Sequence, residues 1–381
     1  MSSLSLPGAS FRPRHAVVAT IVVAAAVGVL RLVPMWRDGS GSLPPRLSDA
    51  AFWALVSELS EPGGSFVSAN YVSNENSFQR VIPELQRRAR RGGVYLGVGP
   101  DQNFTYIVAL DPRIAFIIDI RRENLLLHLM YKALIELSPD RAEFLSRLFS
   151  RPRPPGAGNA SAARALLDAY TSVVPDETLF EQNTRAVADD LVHRRGFPLA
   201  TGDLGAIRNI QRAFFEAGPE IRYAYPHRWF SSYADLVLET DDRGELHSYL
   251  SSEEAFRRLK QLETKNLIVP LVGDFTGTQA ILGIGRYLRA HRAVVDVFYT
   301  SNVEFYLFEN GGWNRFLGNV ASLPLDRDSV FIRSHFDVAS NAAASPRSRS
   351  ATQVDSISQA IGAHERGVIR SYSDVIRQPD R

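Results

Sequence analysis

The chain of 381 residues contains no cysteine. This absence excludes disulfides, thiolate zinc sites, iron–sulfur clusters and cysteine nucleophiles. Net charge is also nearly absent: 43 basic and 41 acidic side chains leave a formal charge of +2, so there is no specific nucleic-acid signal. No HExxH, GxSxG or P-loop pattern occurs, which leaves zinc proteases, α/β-hydrolases and P-loop NTPases without support.

What is present is the composition of a globular protein, with 45% hydrophobic and 22% charged residues. Residues 1–45 are different. Ala16–Leu30 (AVVATIVVAAAVGVL) is an uncharged apolar run without a polar face. Its 15 residues suit the core of a signal peptide, whereas the 21 residues counted to Trp36 are enough for a membrane-spanning helix.

We therefore expect residues 1–45 to be a signal or anchor segment with a linker, and the protein to associate with a membrane through a single N-terminal helix. A cleaved signal peptide and a cytoplasmic protein with a misassigned start codon are the alternatives. The spacer Asp38–Pro45 (DGSGSLPP) is rich in Gly, Ser and Pro. The folded domain is expected to begin near Arg46, where Ser48 can cap a first helix.

Strand and helix patterns alternate after residue 93. Val94–Val98 and Ile114–Ile120 are apolar runs typical of strands buried on both faces, as in a parallel sheet. Helical patterns follow each of them, at Asp101–Leu110 and Glu123–Leu137. This βαβα order predicts an α/β fold with a doubly wound, mostly parallel sheet.

Two stretches interrupt or end this alternation. Arg151–Ala160 (RPRPPGAGNA) is followed by helical patterns, which predict a helical insertion at about 151–220. The domain is expected to span 46–336, followed by a mostly flexible tail at 337–381 with a short helix near Ile357–Ala363. Further segments resume the alternation, as strands at Ala234–Leu238, Leu267–Val272, Val294–Tyr299 and Val330–Ile332 and as helices at Ser252–Thr264 and Thr278–His291.

A glycine turn ends the first strand of the alternating region, in the sequence Leu96-Gly-Val-Gly-Pro100. Glycine permits a tight bend and the close approach of a ligand to the N-terminus of the next helix. Asp119 lies 22 positions beyond Gly97 (119 − 97), where a doubly wound fold places the carboxylate that binds a ribose. The alternative is a tight turn without a ligand.

The chemistry of this turn favours one cofactor class. The third glycine of the dinucleotide fingerprint is missing, and Asp101 would bring a negative charge near a pyrophosphate. S-adenosylmethionine carries a sulfonium cation and no phosphate, so the turn favours it over NAD, FAD or ATP.

Four segments carry a resemblance to a known family: Tyr71–Glu75 (YVSNE), Val94–Tyr106 (VYLGVGPDQNFTY), Ile118–Arg122 (IDIRR) and Asn266–Gly277 (NLIVPLVGDFTG). They resemble an uncharacterised bacterial family of class I, S-adenosylmethionine-dependent methyltransferase-like proteins. The likeness runs from about Ser68 to Phe336. It implies a Rossmann-like methyltransferase fold with Gly97 and Gly99 in the glycine loop and Asp119 on the ribose.

Further residues are candidates for contacts with the cofactor. Glu75 could pair with the ammonium group of the methionine moiety, although Ser73 or Asn74 equally suits a helix N-cap. Asn103 could cap or line the cofactor helix, or it could have a packing role. His128 lies on an otherwise apolar helix and is expected to be a hydrogen-bonded core residue rather than a catalyst.

Other candidates concern the methyl acceptor. Asp274 follows a strand, at the edge where open α/β sheets bind ligands. It could act as the general base or orient the acceptor, or it could cap a helix beginning near Thr278. Asn302 and Glu304 follow another strand and are candidates for acceptor binding.

Together these features predict an S-adenosylmethionine-dependent methyltransferase whose methyl acceptor the sequence does not identify. The alternative is a non-enzymatic, membrane-tethered binding protein with a degenerate methyltransferase fold. A nicotinamide-dependent oxidoreductase is a third hypothesis, which Asp101 and the missing glycine disfavour.

The first two hypotheses differ in where the folded domain must reside. A methyltransferase needs the cytoplasm, because its cofactor is scarce outside it. A reporter fused to the C-terminus is expected to give a cytoplasmic readout if the domain is the enzyme. A periplasmic readout would favour the binding protein.

Overall fold

The computed structural model describes residues 41–66, 70–225, 228–336 and 350–377. Its strands are β1 (Val94–Gly97), β2 (Ile114–Asp119), β3 (Ile268–Val272), β4 (Val295–Ser301), β5 (Val330–Phe336) and β6 (Ser350–Ser356). Its first helices are α1 (Asp49–Leu59), α2 (Ile82–Arg88), α3 (Gln102–Leu110), α4 (Arg122–Leu137), α5 (Arg141–Phe149), α6 (Ala163–Ser172), α7 (Glu177–Ala188) and α8 (Asp203–Ala217). The later helices are α9 (Tyr233–Val237), α10 (Glu253–Thr264), α11 (Ala280–Ala290), α12 (Val303–Glu309), α13 (Trp313–Ala321), α14 (Ile357–Glu365) and α15 (Tyr372–Ile376).

The six strands form one sheet in the order β3-β2-β1-β4-β5-β6. The first five strands are parallel to their neighbours, and β6 is antiparallel to β5. The predicted α/β class with a mostly parallel sheet is confirmed. All residues of β1, β2 and β3 are buried, as their unbroken apolar sequences predicted. Pro270 is tolerated because β3 is an edge strand of this sheet.

Local capping decides two of the shorter elements. Ser48 caps α1 as predicted, since its Oγ accepts the N–H of Ala51 at 3.1 Å. The segment 234–238, predicted as a strand, is instead α9. Ser232 Oγ accepts the N–H of Asp235, and the Asp235 carboxylate accepts the N–H of Ser232. This reciprocal capping box starts a helix where the apolar run alone indicated a strand.

The sequence after residue 349 is more ordered than predicted. Ser350–Ser356 (SATQVDS) forms β6, which pairs with all of β5. Its composition is too polar to indicate a strand, so the pairing partner decides its conformation. α14 follows where a short helix was predicted, and Val354, Ile357 and Val375 are buried against the core.

The N-terminal prediction falls largely outside the structure. The apolar run Ala16–Leu30 belongs to residues that the structure does not describe. Within the described ranges, every helix is too short or too polar to cross a membrane.

A buried arginine connects the helical insertion to the rest of the fold. Arg195 follows a π-helical turn (Asp189–Arg194) that continues α7, and its side chain is 3% exposed. Its guanidinium lies 2.7 Å from the Asp49 carboxylate on α1 and 2.9 Å from Asp190, and it also pairs with Glu136 on α4. These ion pairs join the helical insertion to α1 and α4, which both pack against the sheet.

This cluster predicts a large loss of stability for Arg195→Ala. Removing this cation takes a shared partner from three carboxylates, although Glu136 keeps Lys132 and Asp190 keeps Arg194. The free energy of unfolding is therefore expected to fall by about 3 kcal/mol, the lower end of the range for a broken buried ion pair. Arg208→Ala is the matched control, because Arg208 is 40% exposed in its pair with Glu181 and such surface pairs contribute about 0–1 kcal/mol. Urea denaturation measures both, and equal losses would contradict the assignment.

Candidate functional site

A cleft of about 340 Å³ opens at the carboxyl ends of β1, β2, β3 and β4. The strand order reverses between β1 and β4, and open α/β sheets bind ligands at such a switch point. The volume lies in the lower part of the range for small-molecule sites, about 300–1,000 Å³. The walls also include α12, residues 65–66, residues 70–74 and Tyr223.

The loop after β1 is held in place by one amide side chain. The Asn103 Nδ2 donates to the carbonyl groups of Val98, Gly99 and Pro100 at 2.9, 3.2 and 2.7 Å. Its Oδ1 accepts the hydroxyl of Tyr95 at 2.8 Å. Gly99 has φ +83° and lines the cleft, so the predicted glycine turn is present and its backbone faces the ligand space.

Gly97 and Asn103 support this loop from beneath and do not line the cleft. A Cβ at Gly97 would lie 2.0 Å from Asn103 Oδ1, so only glycine leaves room for the amide. The sequence analysis predicted both as cofactor contacts. Their contacts instead fix the shape of the loop that carries Gly99.

His128 completes the loop as a buried core residue. Its Nε2 lies 2.9 Å from the carbonyl oxygen of Gly99. Burial lowers the pKa of His128 to about 4, so the ring is neutral at pH 7. The neutral ring donates its Nε2–H to Gly99, which accords with the expected structural role.

Asp119 lies at the tip of β2 and lines the cleft together with Arg121. The Arg121 guanidinium donates to both carboxylate oxygens of Asp119 at 3.0 Å, and the Arg121 N–H donates to Oδ1 at 2.9 Å. A carboxylate offers about four acceptor positions, so one position remains on Oδ2. Asp119, which was predicted to bind the ribose, therefore lies in the cleft, but Arg121 compensates its charge.

Asp274 and Asn302 also line the cleft, after β3 and β4. Asp274 Oδ1 accepts the backbone N–H of Thr276 at 2.7 Å and its hydroxyl at 2.9 Å. These bonds form a turn before α11, which begins at Ala280 rather than near Thr278. Asp274 was alternatively predicted to cap a helix, and it instead stabilises this turn before the helix. Its Oδ2 has no hydrogen bond among the described residues.

Glu304 is placed away from the cleft, in contrast to its predicted role in acceptor binding. It is 1% exposed and accepts the Arg333 Nε at 2.9 Å. Arg333 also donates to Asp355 of β6 at 2.8 Å. Glu304 therefore belongs to a buried ionic group that joins α12, β5 and β6.

Glu75 likewise has no surface in the cleft, although Ser73 and Asn74 line it. It is 0% exposed and accepts hydroxyl groups from Tyr299 and Ser334 at 2.6 Å and from Ser301. The predicted direct pairing of Glu75 with a cofactor ammonium group is not available to this buried carboxylate.

Asp101 turns away from the cleft. Its carboxylate accepts the Tyr249 hydroxyl at 3.1 Å, and burial raises its pKa to about 7. The negative charge that the sequence analysis placed near a pyrophosphate is therefore not in the ligand space. The missing third glycine and the small volume of the cleft still disfavour a dinucleotide ligand.

The cleft contains residues that the sequence analysis missed. Arg121 directly follows the Asp119 strand and could have been recognised from the sequence Ile-Asp-Ile-Arg-Arg. Tyr223 comes from the chain after the helical insertion, and Tyr306 comes from α12, where it packs edge-on against Phe66 at 5.1 Å. No local pattern indicates that these aromatic residues meet at one cleft.

One group of potential metal ligands lies elsewhere. Among the described residues, Asp241, Glu245 and His247 have ligand atoms within 4.8 Å of one another. The Asp241 carboxylate accepts the N–H groups of Arg243 and Glu245 and contacts His247 Nε2 at 2.9 Å. These bonds explain the group as a closed turn that does not line the cleft.

The raised pKa of Asp101 predicts a specific pH dependence of stability. The folded protein keeps the proton up to about pH 7, whereas an unfolded aspartate releases it near pH 3.8. Stability from this group is therefore present at low pH and is lost as the pH rises from about 4 to about 7. Asp101→Asn stays neutral and should be more stable than the original protein above pH 7, by roughly 2–4 kcal/mol.

Urea denaturation at pH 4 and pH 8 checks this expectation. The two proteins should be similar at pH 4, and the difference should develop with rising pH. Parallel stability curves over the whole range would show that Asp101 does not hold its proton.

Comparison with known proteins gives a single family. No curated protein matches the chain. A family model matches residues 70–361, which include the glycine loop, the ends of all the cleft strands and β6. This match spans well over half of the sequence, and the chain belongs to the family described as "Domain of unknown function (DUF7790)".

Proposed function

We propose that the chain is a Rossmann-like, class I S-adenosylmethionine-dependent methyltransferase that binds its cofactor in the cleft at the β1–β4 switch point. The observation that supports it most is the meeting of Gly99, at positive φ, and Asp119 at this one cleft. The glycine permits close approach of an adenosyl group, and the carboxylate is placed for its ribose.

Cleft size favours a nucleoside ligand over a dinucleotide. The volume of about 340 Å³ is near the lower limit for ligand sites. The turn lacks the third glycine of the dinucleotide fingerprint, having Pro100 directly after Gly99. Tyr306 and Phe66 add aromatic surface on which a base or a sulfonium group could pack.

Asp274 is the residue that we propose to orient the methyl acceptor, with Asn302 beside it. Both line the cleft, Asp274 after β3 and Asn302 after β4. Methyl transfer is an in-line displacement whose main requirement is the alignment of acceptor and methyl group. The Thr276 bonds hold Asp274 Oδ1 and leave Oδ2 without a hydrogen bond to the described residues.

We also propose that the protein associates with a membrane through Ala16–Leu30. The support is the length and uniform apolar character of that run. The enzyme domain and the anchor are separate proposals, since neither needs the other.

The Asp119–Arg121 pair favours a second candidate, a binding protein that has kept the fold but lost the cofactor. Three of about four acceptor positions on Asp119 are already occupied by Arg121. A degenerate site would keep this pair closed. The methyltransferase requires that Oδ2 still accept a ribose hydroxyl.

Isothermal titration with S-adenosylmethionine and S-adenosylhomocysteine tests the first proposal against the second. We expect both to bind the original protein. Asp119→Asn should weaken both, by about tenfold or more, because a hydrogen bond to a charged acceptor contributes about 1.5–3 kcal/mol. Asp168→Asn, on the exposed side of α6, is the matched control and should bind normally.

The absence of binding heat and of a thermal shift from a folded sample would remove the cofactor proposal. Binding of NADP without binding of S-adenosylmethionine would instead support the oxidoreductase, with Arg121 as the phosphate ligand.

A further inference from the structure

Behind the cleft lies a carboxylate that reaches it through a single hydroxyl. Glu75 accepts hydrogen bonds from Tyr299, Ser301 and Ser334. Ser301 is the member of this group that also lines the cleft, at the end of β4. Ser301 therefore connects the wall of the cleft to the Glu75 carboxylate.

On its other side, Glu75 begins a row of hydroxyl groups. Ser334 Oγ lies 3.2 Å from Thr352 Oγ1, and Thr352 Oγ1 lies 3.0 Å from Ser77 Oγ. Ser77 Oγ lies 3.1 Å from Ser350 Oγ. Thr352 and Ser350 are half-buried on the edge strand β6, so the row leads out of the core. Each hydroxyl can donate and accept at the same time, as proton transfer along a row requires.

The surroundings of Glu75 favour its protonated form more than those of an ordinary glutamate. Burial raises its pKa, and the three side chains that donate to it among the described residues are hydroxyl groups rather than cations. The titratable groups near it are Tyr95, Tyr106, Tyr299 and Tyr372 and the half-buried Glu239. Glu75 is thus suited to accept a proton and pass it on, rather than to hold a salt bridge.

We propose that Ser301 and Glu75 take up the proton that a methyl acceptor releases in the cleft, and that Ser334 and Thr352 conduct it to the edge of the sheet. This inference rests on the proposed methyltransferase function. In the step, the acceptor atom forms a bond to the methyl carbon while the carbon–sulfur bond breaks. The electron pair of that bond stays on sulfur and gives neutral S-adenosylhomocysteine. The acceptor proton moves to Ser301 Oγ, whose own proton moves to Oε1 of the ionised Glu75 carboxylate, and Glu75 releases a proton through Ser334 before the next turnover.

A proton pathway of this kind restricts the class of methyl acceptor. It serves a nucleophile that has a proton to lose, such as a hydroxyl, a primary or secondary amine or an acidic carbon. A thioether or a tertiary amine would release no proton, and the row would then have no use.

Infrared spectroscopy of the full chain tests the row without any cofactor. A carboxylic acid band present in the original protein and lost in Glu75→Gln identifies the Glu75 proton. Glu239→Gln is the matched control, because burial raises the pKa of Glu239 to about 8 and its band must be distinguished. A Glu75 carboxyl that stays ionised down to its ordinary pKa of 4.5 overturns the proposal.

Exchange of this proton with D₂O then tests the two ends of the row. Thr352→Val interrupts the row of hydroxyl groups at the edge of the sheet, so in this variant the Glu75 proton should exchange through the cleft. Adding Ser301→Ala to it should slow the exchange several-fold further. Ser138→Ala, which removes a buried hydroxyl bonded to Leu134, should change nothing. Exchange that is equally fast with and without Ser301 overturns the proposal.

A binding measurement links the pair to the methyl position. The probe is the analogue of S-adenosylmethionine in which an amine-bearing carbon replaces the methylsulfonium group. Glu75→Gln should weaken this amine by about tenfold, or 1.4 kcal/mol, and leave S-adenosylhomocysteine unaffected. An unchanged ratio of the two affinities contradicts the role of Glu75. Failure of both ligands to bind the original protein contradicts the methyltransferase instead, while the exchange result stands separately.

Discussion

The shape of the cleft depends on the Asn103 amide. Three successive carbonyl groups of the loop after β1 point at its nitrogen, and a fourth contact comes from the Tyr95 hydroxyl. Without this side chain, the Val98 carbonyl would lose its donor, which costs more than the bond itself contributes, whereas Gly99 keeps His128 Nε2 and Pro100 keeps the Asn103 backbone N–H. Gly97 provides the space for the amide, and Gly99 provides the backbone conformation that the bonds require. The glycines are thus needed for the loop before any ligand is considered.

Burial then decides the charge of each polar group around the cleft. Asp119 forms an ion pair with Arg121, and its exposure to the ligand space is limited by that pair. Burial lowers the pKa of His128 to about 4 and raises the pKa of Asp101 to about 7. Glu75 accepts hydrogen bonds from the hydroxyl groups of Tyr299, Ser301 and Ser334. The electrostatic properties of Asp101, Asp119, His128 and Glu75 therefore differ because their environments differ.

Much of the fold was accessible to prediction, since burial on both faces leaves a continuous apolar run in β1 and β2. The helices after them were also readable, because one face must pack against the sheet. β6 was not, since its polar sequence becomes a strand by pairing with β5. For the site, the positions of Gly99, Asp119, Asp274 and Asn302 at one edge followed from the rule that parallel strands end together. The burial of Glu304 in an ion pair with Arg333 could not be predicted, because Arg333 is 29 positions away in the sequence.

The sequence by itself determined the α/β class, the glycine turn and the presence of an acid at the tip of β2, because these depend on local periodicity and backbone freedom. It also determined the absence of all cysteine chemistry. Only the tertiary structure decided which acids face the cleft and which are enclosed. The reason is that a side chain's partners come from distant segments, as with Glu75 and Ser334, which are 259 positions apart. Their spacing in sequence carries no information about their distance in space.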